Sequence, residues 1–311
     1  MSSVNRRARN RAAAPVDGVL LLNKPAGLTS NQALQKVKRL LNARKAGHTG
    51  SLDPAATGML PLCFGEATKV CAYLLDADKI YRVTAKLGVA TDTADADGEE
   101  IACADVPDLS RQRWIAILQG FLGDSTQVPP MYSALRKNGK RLYALARAGK
   151  TVEREPRPIR IDSIDLLELA GNRLIFRVHC SKGTYIRSLV EDIAKVAGTV
   201  AHTARLHREA VGDFQSGDML DLDGAKAIAE AGPEALRMCL MPPDRALSGL
   251  PSLHIDVEAG GRFTGGQPVT APATEVKTGL ARVYGGDNEF LGIGEHTDGG
   301  LLAPRRVFRV A

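Results

Sequence analysis

The sequence predicts a globular α/β protein with a small β-rich part at its C-terminal end, and three observations support this fold class. The 311 residues, 44% of them hydrophobic, suffice for one large domain with a buried core and a small second one. From residue 18 onward, segments that alternate like strands are interleaved with segments that have the spacing of helices. The stretch 241–253 is rich in Pro and small residues, which is typical of a linker.

The composition limits the class of protein. No apolar run approaches the roughly 18 residues of a membrane span, so neither a membrane helix nor a signal peptide is predicted. The formal charge of +6 weakly favours a polyanionic partner. Five cysteines without a C-x-x-C pair or zinc spacing indicate a reducing cytoplasm and no structural metal.

The first segment, residues 1–17, predicts a disordered basic tail, because it has too few apolar residues to fold by itself. It either has no function or makes an auxiliary contact with RNA, and an organelle transit peptide is a less favoured alternative. Its arginines are Arg6, Arg7, Arg9 and Arg11.

The large domain, predicted over 18–248, begins with the strand VDGVLLLNKP. Thr29 and Gln32 have the spacing of a capping box ahead of a helix with one apolar stripe. Residues 66–76 predict another helix. The strand IYRVTAKLG places Tyr81 on one face with apolar neighbours, so we expect its ring to point inward.

Later segments continue this mixed pattern. We predict a Trp-containing helix near 110–121, strands at 158–169 and 173–180, and a turn and helix in SKGTYIRSLVEDIAKVAG. After the linker, the short runs LARVYG, FLGIGEH and VFRVA predict a small all-β domain over 249–311.

The stretch HTGSLDPAATG, residues 48–58, contains the first candidates for chemistry. Asp53 and Pro54 have a structural interpretation, because Asp is a favoured N-cap and Pro is favoured at the first helical position. His48 by itself is compatible with an ordinary hydrogen-bonded loop histidine. Composition alone leaves open whether Asp53 shapes a turn or reacts.

Arg187 lies in the first turn of its predicted helix, where the helix dipole disfavours a cation. A nearby carboxylate should therefore compensate it. Glu191, four residues on, is one candidate, and a carboxylate from another segment, such as Asp53, is the alternative.

The acidic stretch ATDTADADGEE, residues 90–100, does not fit a calcium loop. Aligning Asp95 with that pattern puts Thr93 at the first ligand position and Ala104 where a bidentate Glu should be. We expect a loop capped by Asx-turns instead.

Residues 127–154, called the basic insertion below, interleave cations with Tyr132 and Tyr143. They predict either a surface for stacking and binding RNA or a solvated helix face. The cations are Arg136, Lys137, Lys140, Arg141, Arg147, Lys150 and Arg154.

Several blocks in order closely resemble the motifs of the TruB family of bacterial tRNA pseudouridine synthases. They are LLLNKPAGLTS, AGHTGSLDPAATGMLPLCFGEATK, KIYRVTAKLGVATDTADADGE, PPMYSALRKNGKRLYALARAG and CSKGTYIRSLVEDIA. GLARVYGGDNEFLGIGEHTDGGLLAPRRV resembles the family's C-terminal RNA-binding domain, which is related to the PUA module. The resemblance implies a mixed, mainly antiparallel sheet with flanking helices.

It also implies an activity, the isomerisation of uridine 55 in the tRNA T loop to pseudouridine after the base is flipped out of the RNA. Asp53 corresponds to the family's essential aspartate, which acts as a nucleophile or a base. Tyr81 corresponds to the tyrosine that stacks on the flipped base and can take part in proton removal, and Arg187 to the arginine paired with the aspartate. The reaction needs no cofactor and no metal.

Further roles follow from the same resemblance. His48 would hold the T loop, Tyr185 and Leu206 would line the uracil pocket, and Lys24 would support the site. The basic insertion would close over the T arm. The partner would be tRNA, and we expect a cytoplasmic monomer without an obligate protein partner.

Two other functions fit parts of the same sequence. A non-catalytic RNA-binding or tRNA-folding protein would need only the basic insertion and the C-terminal domain, but would not need Asp53, Tyr81 and Arg187 together. A guide-RNA-dependent pseudouridine synthase shares the aspartate motif, but usually has a longer C-terminal domain.

Overall fold

The computed structural model describes residues 16–137, 139–272 and 278–308. Most of the predicted basic tail therefore lies outside the described residues. Val16 and Asp17, which the prediction assigned to the tail, belong to the packed structure, since Val16 is buried and Asp17 accepts a hydrogen bond from the Glu66 amide. No helix in the described ranges is long and apolar enough to cross a membrane.

The strands and helices are numbered in chain order. The strands are β1 (Gly18–Lys24), β2 (Ala46–His48), β3 (Thr57–Phe64), β4 (Lys79–Leu87), β5 (Val89–Thr91), β6 (Glu100–Cys103), β7 (Gly123–Gln127), β8 (Arg136–Lys137), β9 (Lys140–Arg141), β10 (Arg157–Ala170), β11 (Arg173–Cys180), β12 (Ala201–Val211), β13 (Leu220–Asp221), β14 (Ser252–His254), β15 (Val269–Thr270), β16 (Gly279–Tyr284), β17 (Phe290–His296) and β18 (Leu301–Val307). The α-helices are α1 (Ser30–Leu40), α2 (Cys71–Asp76), α3 (Arg111–Gln119), α4 (Leu142–Arg147), α5 (Ile186–Ala197), α6 (Leu222–Glu230), α7 (Pro233–Arg237) and α8 (Val257–Thr264).

The large sheet has the order β13-β1-β3-β12-β4-β11-β10-β7, and β2 also pairs with β3. The pairs β1/β13 and β3/β12 are parallel, and the other pairs are antiparallel. The expected mixed, mainly antiparallel sheet is thus confirmed.

One face of this sheet carries the main core. Tyr81, Val83, Ala85 and Leu87 of β4 point to this face, as their alternation predicted, and α1, α3 and α5 contribute apolar side chains to the same core. Trp114 of α3 is 1% exposed within it. Each fully buried large apolar side chain contributes roughly 1.5–3 kcal/mol, which holds the helices against the strands.

The opposite face is covered over only part of its width. Across β1 and β3 it packs against α2, a preceding 3-10 helix (Gly65–Val70) and two side chains of the C-terminal part, Ile293 and Phe308. Across β4 and β11, exposed side chains such as Arg82 and Arg177 occupy the same face. This exposed part is called the open face below.

Several local predictions can be compared with the structure. The capping box of Thr29 and Gln32 is present at the start of α1. The helix predicted at 66–76 is a 3-10 helix followed by α2. The expected linker is packed, because Leu247 in a 3-10 helix (Pro243–Leu247) is buried in the core of the covered face.

The C-terminal part is β-rich, as expected, with the sheet order β14-β16-β17-β18-β15. The prediction that it is all-β was wrong, because it contains α8. Asp256 caps this helix by accepting from the Ala259 amide at 2.8 Å, and Phe263 buries its ring against the sheet. The two glycines within α8 have low helix propensity, so local sequence favours the helix only weakly and packing decides.

The parallel contact between β3 and β12 requires a glycine at position 58. Gly58 has φ +99°, and a Cβ there would lie 2.7 Å from the Arg208 amide nitrogen and closer still to the Arg208 carbonyl oxygen. Gly198 ends α5 with φ +84°, but nothing lies within 4 Å of its Cβ position.

We expect Gly58→Ala to lower the free energy of unfolding by about 3 kcal/mol or more, because backbone strain and overpacking add. The matched control, Gly198→Ala, should cost about 1–2 kcal/mol, since only strain applies. Urea unfolding of both variants measures the difference. Equal losses would show that the β12 backbone moves aside without cost.

Candidate active site

Asp53 lies in a loop, residues 49–56, that joins β2 to β3. No helix follows it, so the N-cap interpretation of Asp53 and Pro54 was wrong, and the chain instead turns tightly with the Ala56 amide donating to the Asp53 carbonyl at 3.1 Å. Ser30 Oγ holds the preceding residue by accepting from the Leu52 amide at 2.8 Å and donating to its carbonyl at 3.1 Å. The Asp53 loop is therefore anchored immediately before the Asp53 side chain.

Lys24, at the end of β1, anchors the other side of the loop. Its Nζ donates to the carbonyls of Pro25, Leu28 and Pro54 at 2.8, 2.7 and 3.2 Å, and the side chain is fully buried. Burial lowers the pKa of Lys24 to about 8. The amine therefore still carries its proton at pH 7, with three carbonyls for its three donors, which fits a supporting role.

Arg187, the second residue of α5, is the centre of the site. Its Nε lies 3.1 Å from Asp53 Oδ2, and its Nη1 lies 3.4 Å from Asp95 Oδ2. Nη1 also donates to the Thr93 carbonyl at 2.9 Å, and Nη2 donates to the Tyr132 carbonyl at 2.6 Å. The cation at the start of α5 is thus compensated by carboxylates from two other segments.

Glu191, the alternative partner of Arg187, is exposed on the surface of α5. None of the ion pairs found in the described ranges joins it to Arg187. The helix-pair interpretation of Arg187 was therefore wrong.

Asp95 is a site residue that the sequence analysis missed. One of its oxygens organises its own loop by accepting from Thr93 Oγ1 at 2.6 Å and from the Asp97 amide at 3.1 Å, the expected Asx-turn. The other oxygen faces Arg187. The acidic run ATDTADADGEE was the available signal, but its spacing could not show which acid turns toward the cleft.

The two partners of the central ion pair differ in exposure. The Arg187 side chain is 7% exposed, whereas the Asp53 side chain keeps 44% of its surface open. Burial of part of the carboxyl raises the pKa of Asp53 above its usual range, Arg187 opposes this shift, and Asp95 adds to it. The buried Arg187 therefore fixes the Asp53 carboxylate on one side, while its other side is accessible from the cleft.

Tyr81 lies on β4 with its side chain almost fully buried. Burial raises the pKa of its phenol, so the hydroxyl keeps its proton at neutral pH, and Arg208 beside it works against this shift. Arg208 is 1% exposed and donates to the carbonyls of Met59 and Gly50 at 2.6 and 2.7 Å. It joins Tyr81 to the start of the Asp53 loop at Gly50 and to β3 at Met59, and nothing in its sequence spacing singled it out.

The remaining predicted residues lie around this centre. Leu206 lines the small cleft that opens at Asp53 and Arg187. The backbone of Tyr185 is held at both its amide and its carbonyl by the Gln127 side chain, at 2.8 and 3.1 Å. His48 has a buried Nδ1 without a hydrogen-bond partner, and burial lowers the pKa of its ring.

A group of side chains that could hold a metal ion occurs at Asp78, Asp162 and His179. Arg160 already forms ion pairs with both aspartates, at 3.6 and 3.1 Å. A guanidinium thus neutralises these carboxylates, and none of them lines the cleft at Asp53.

Comparison with known families defines the class of protein. Residues 38–186 match the TruB family pseudouridylate synthase (N terminal domain), residues 187–248 match the tRNA pseudouridylate synthase B C-terminal domain, and residues 251–308 match the pseudouridine synthase II TruB C-terminal domain. The chain belongs to the TruB family of pseudouridine synthases. It is therefore an isomerase, and tRNA is its substrate.

Individual relatives agree with this assignment. The tRNA pseudouridine synthase B of Stutzerimonas stutzeri is 50% identical over 300 residues, which cover 96% of this chain and 98% of the relative. That of Haemophilus influenzae is 48% identical, with 94% and 95% covered.

Solved structures show the same fold. A crystal structure of a Cbf5-Nop10-Gar1 complex has a TM-score of 0.75 at 27% identity, with 94% of this chain and 85% of that chain covered. An H/ACA RNP bound to a substrate RNA containing 2'-deoxyuridine has a TM-score of 0.72 at 26% identity, with the same coverage.

The charges around Asp53 predict opposite effects of two substitutions on its pKa. Asp95→Asn removes a negative charge and should lower the pKa of Asp53, whereas Arg187→Gln removes the opposing cation and should raise it. Carboxyl-carbon NMR titration, with Asp53→Asn to assign the signal, measures both shifts. Shifts in the same direction would show that the variants act by rearranging the loop.

Proposed function

We propose that the protein converts uridine 55 in the T loop of tRNA to pseudouridine, with Asp53 as the reacting carboxylate. The observation that carries this proposal is the half-exposed Asp53 carboxylate in a cleft, paired at 3.1 Å with a buried arginine. A carboxylate fixed in this way loses little conformational freedom when it meets a substrate.

The chemistry fits these side chains without an added reactant. Isomerisation breaks the bond between ribose C1' and uracil N1, joins C1' to C5 of the same base, and transfers the C5 proton away while N1 gains one. Asp53 is placed to act on the nucleoside as a nucleophile or as a base. Arg187 balances its charge and fixes its orientation.

The target base would have to leave the T loop to reach Asp53, and unstacking costs a few kcal/mol. Leu206 lines the cleft and offers apolar surface that offsets this cost. Tyr81, whose side chain is almost fully buried in the absence of RNA, would stack on the flipped base, and Tyr185, the N-cap of α5, would line the same pocket. His48 would hold the T loop without a positive charge, because burial lowers the pKa of its ring.

The basic insertion is connected to this centre and would clamp the T arm. Its Tyr132 carbonyl binds Arg187, and Gln127 at its start holds Tyr185. The guanidinium groups of Arg141 and Arg147 lie 5.9 and 5.7 Å from the Tyr143 ring centroid. A cationic, aromatic surface of this kind suits RNA backbone and bases.

The guide-RNA-dependent alternative has weaker support. The solved H/ACA structures are 26% and 27% identical to this chain, whereas the tRNA pseudouridine synthases are 48% and 50% identical over nearly the whole chain. We accordingly propose a stand-alone cytoplasmic monomer. The five free cysteines agree with a reducing compartment.

We expect Asp53→Asn to abolish pseudouridine formation while tRNA binding and folding are nearly unchanged, because the amide keeps the shape but not the charge or basicity. Carbodiimide labelling and primer extension on an unmodified tRNA transcript, without cofactor or guide, would show one stop at uridine 55 with the wild type only.

Filter binding of the same transcript and a urea unfolding curve serve as controls. Loss of binding in proportion to activity would instead make Asp53 a structural residue. Binding without a stop in either sample would favour the RNA-binding or guide-dependent function.

A further inference from the structure

The open face of the large sheet carries a cluster of cations, only one of which also lines the cleft at Asp53. Five side chains, called the cation ladder below, lie on three neighbouring strands of this face. They are Arg82 and Lys86 of β4, Arg173 and Arg177 of β11, and Arg205 of β12.

The ladder places like charges directly opposite one another. Arg82 is the cross-strand partner of Arg177, and Lys86 is the cross-strand partner of Arg173. Directly opposed side chains have Cβ atoms about 4.5–5.5 Å apart, and like charges in this position destabilise a sheet. The folded chain by itself gains nothing from these two rungs.

The acids on the same face neutralise the ladder only in part. Arg177 pairs with Glu209 at 2.7 Å and also lies opposite Asp165, and Glu168 lies opposite the uncharged Ile175. Among the ion pairs in the described ranges, none involves any of the other ladder cations. These are Arg82, Lys86, Arg173 and Arg205.

Some cations elsewhere on the surface are paired with acids. Arg160 lies between two aspartates, Lys182 pairs with Asp76, and Arg305 pairs with Glu295. In the ladder, by contrast, two opposed like-charge pairs contain three cations that form no ion pair among the described residues. The basic insertion has the same pattern, since Arg136 lies opposite Arg141 and Lys137 lies opposite Lys140.

The ladder is continuous with the cleft. Arg205 precedes Leu206, and both residues contribute to the lining of the cleft at Asp53. Arg205 also pairs with Thr84, which lies between Arg82 and Lys86 along β4. An RNA chain leaving the cleft over β12 would meet the ladder next.

We propose that the cation ladder binds the phosphate backbone of the tRNA substrate outside its T-arm hairpin. The two rungs are four residues apart along β4, or roughly 13 Å, so they would contact separate phosphates. Arginine suits this task because its planar donors match phosphate oxygens. Thr84 and Ile175 lie between the rungs and offer no ring for stacking, so the contact would be independent of base sequence.

This inference rests on the proposed T-loop substrate, and its test separates the two ideas. The double variant Arg82→Gln/Arg173→Gln removes one cation from each rung. The matched control, Arg113→Gln/Lys195→Gln, removes two exposed cations from α3 and α5, which pack on the other face. Binding of a full-length tRNA transcript and of an isolated T-arm hairpin is measured over a range of salt concentrations.

We expect the ladder variant to bind full-length tRNA about 5–10-fold more weakly. The slope of log affinity against log salt concentration should become smaller in magnitude by about one to two, since each lost phosphate contact reduces it by roughly one. Its affinity for the hairpin should be unchanged, and the control should match the wild type with both RNAs. The ladder variant should also unfold at higher urea concentration, because each rung loses its like-charge repulsion.

Unchanged affinity for full-length tRNA would overturn the inference, and so would an equal loss with the hairpin or with the control variant. If the wild type binds both RNAs but modifies neither, the proposed function fails. The difference between tRNA and hairpin binding would then still decide the role of the ladder.

Discussion

The structure of the candidate site depends on one buried cation, the guanidinium of Arg187. A charge that is 7% exposed is costly unless it is paired and its donors are satisfied. Asp53, Asp95 and two backbone carbonyls meet this requirement from three separate segments. The same contacts bring the Asp53 loop, the acidic loop and the basic insertion to the start of α5, so that neutralising one charge assembles the site.

The Asp53 loop also needs support behind it, because irregular backbone near a core must find hydrogen-bond partners. Lys24, Arg208 and Ser30 provide them with side-chain groups that reach carbonyls and an amide of the loop. These buried polar side chains reduce the freedom of the loop while the Asp53 carboxylate stays open to the cleft. A rigid loop with one accessible acid suits the proposed chemistry, because a positioned group loses little freedom when substrate binds.

Local sequence patterns predicted the elements that depend mostly on neighbouring residues or on a regular alternation of apolar residues. The alternation of β4 gave the face on which Tyr81 lies, and the capping box marked the start of α1, since both depend on residues close in sequence. The C-terminal helix α8 was missed because its glycines weaken the local signal and the burial of Phe263 decides the outcome. The N-cap interpretation of Asp53 failed for the same kind of reason, since loop contacts with distant residues override the local preference for a helix.

The sequence by itself determined the family and the fold class, and it singled out three residues that line the cleft, Asp53, Arg187 and Leu206, because its motifs are long, ordered and specific. Only the tertiary structure decided that Asp95 meets Arg187 together with Asp53 and that Glu191 does not, since Asp95 and Asp53 are 42 positions apart and Glu191 lies closer in sequence to the arginine than either. It also decided the role of Arg208 and the opposed charges of the open face. Strand register and side-chain burial create these contacts, and neither quantity can be read from spacing along one chain.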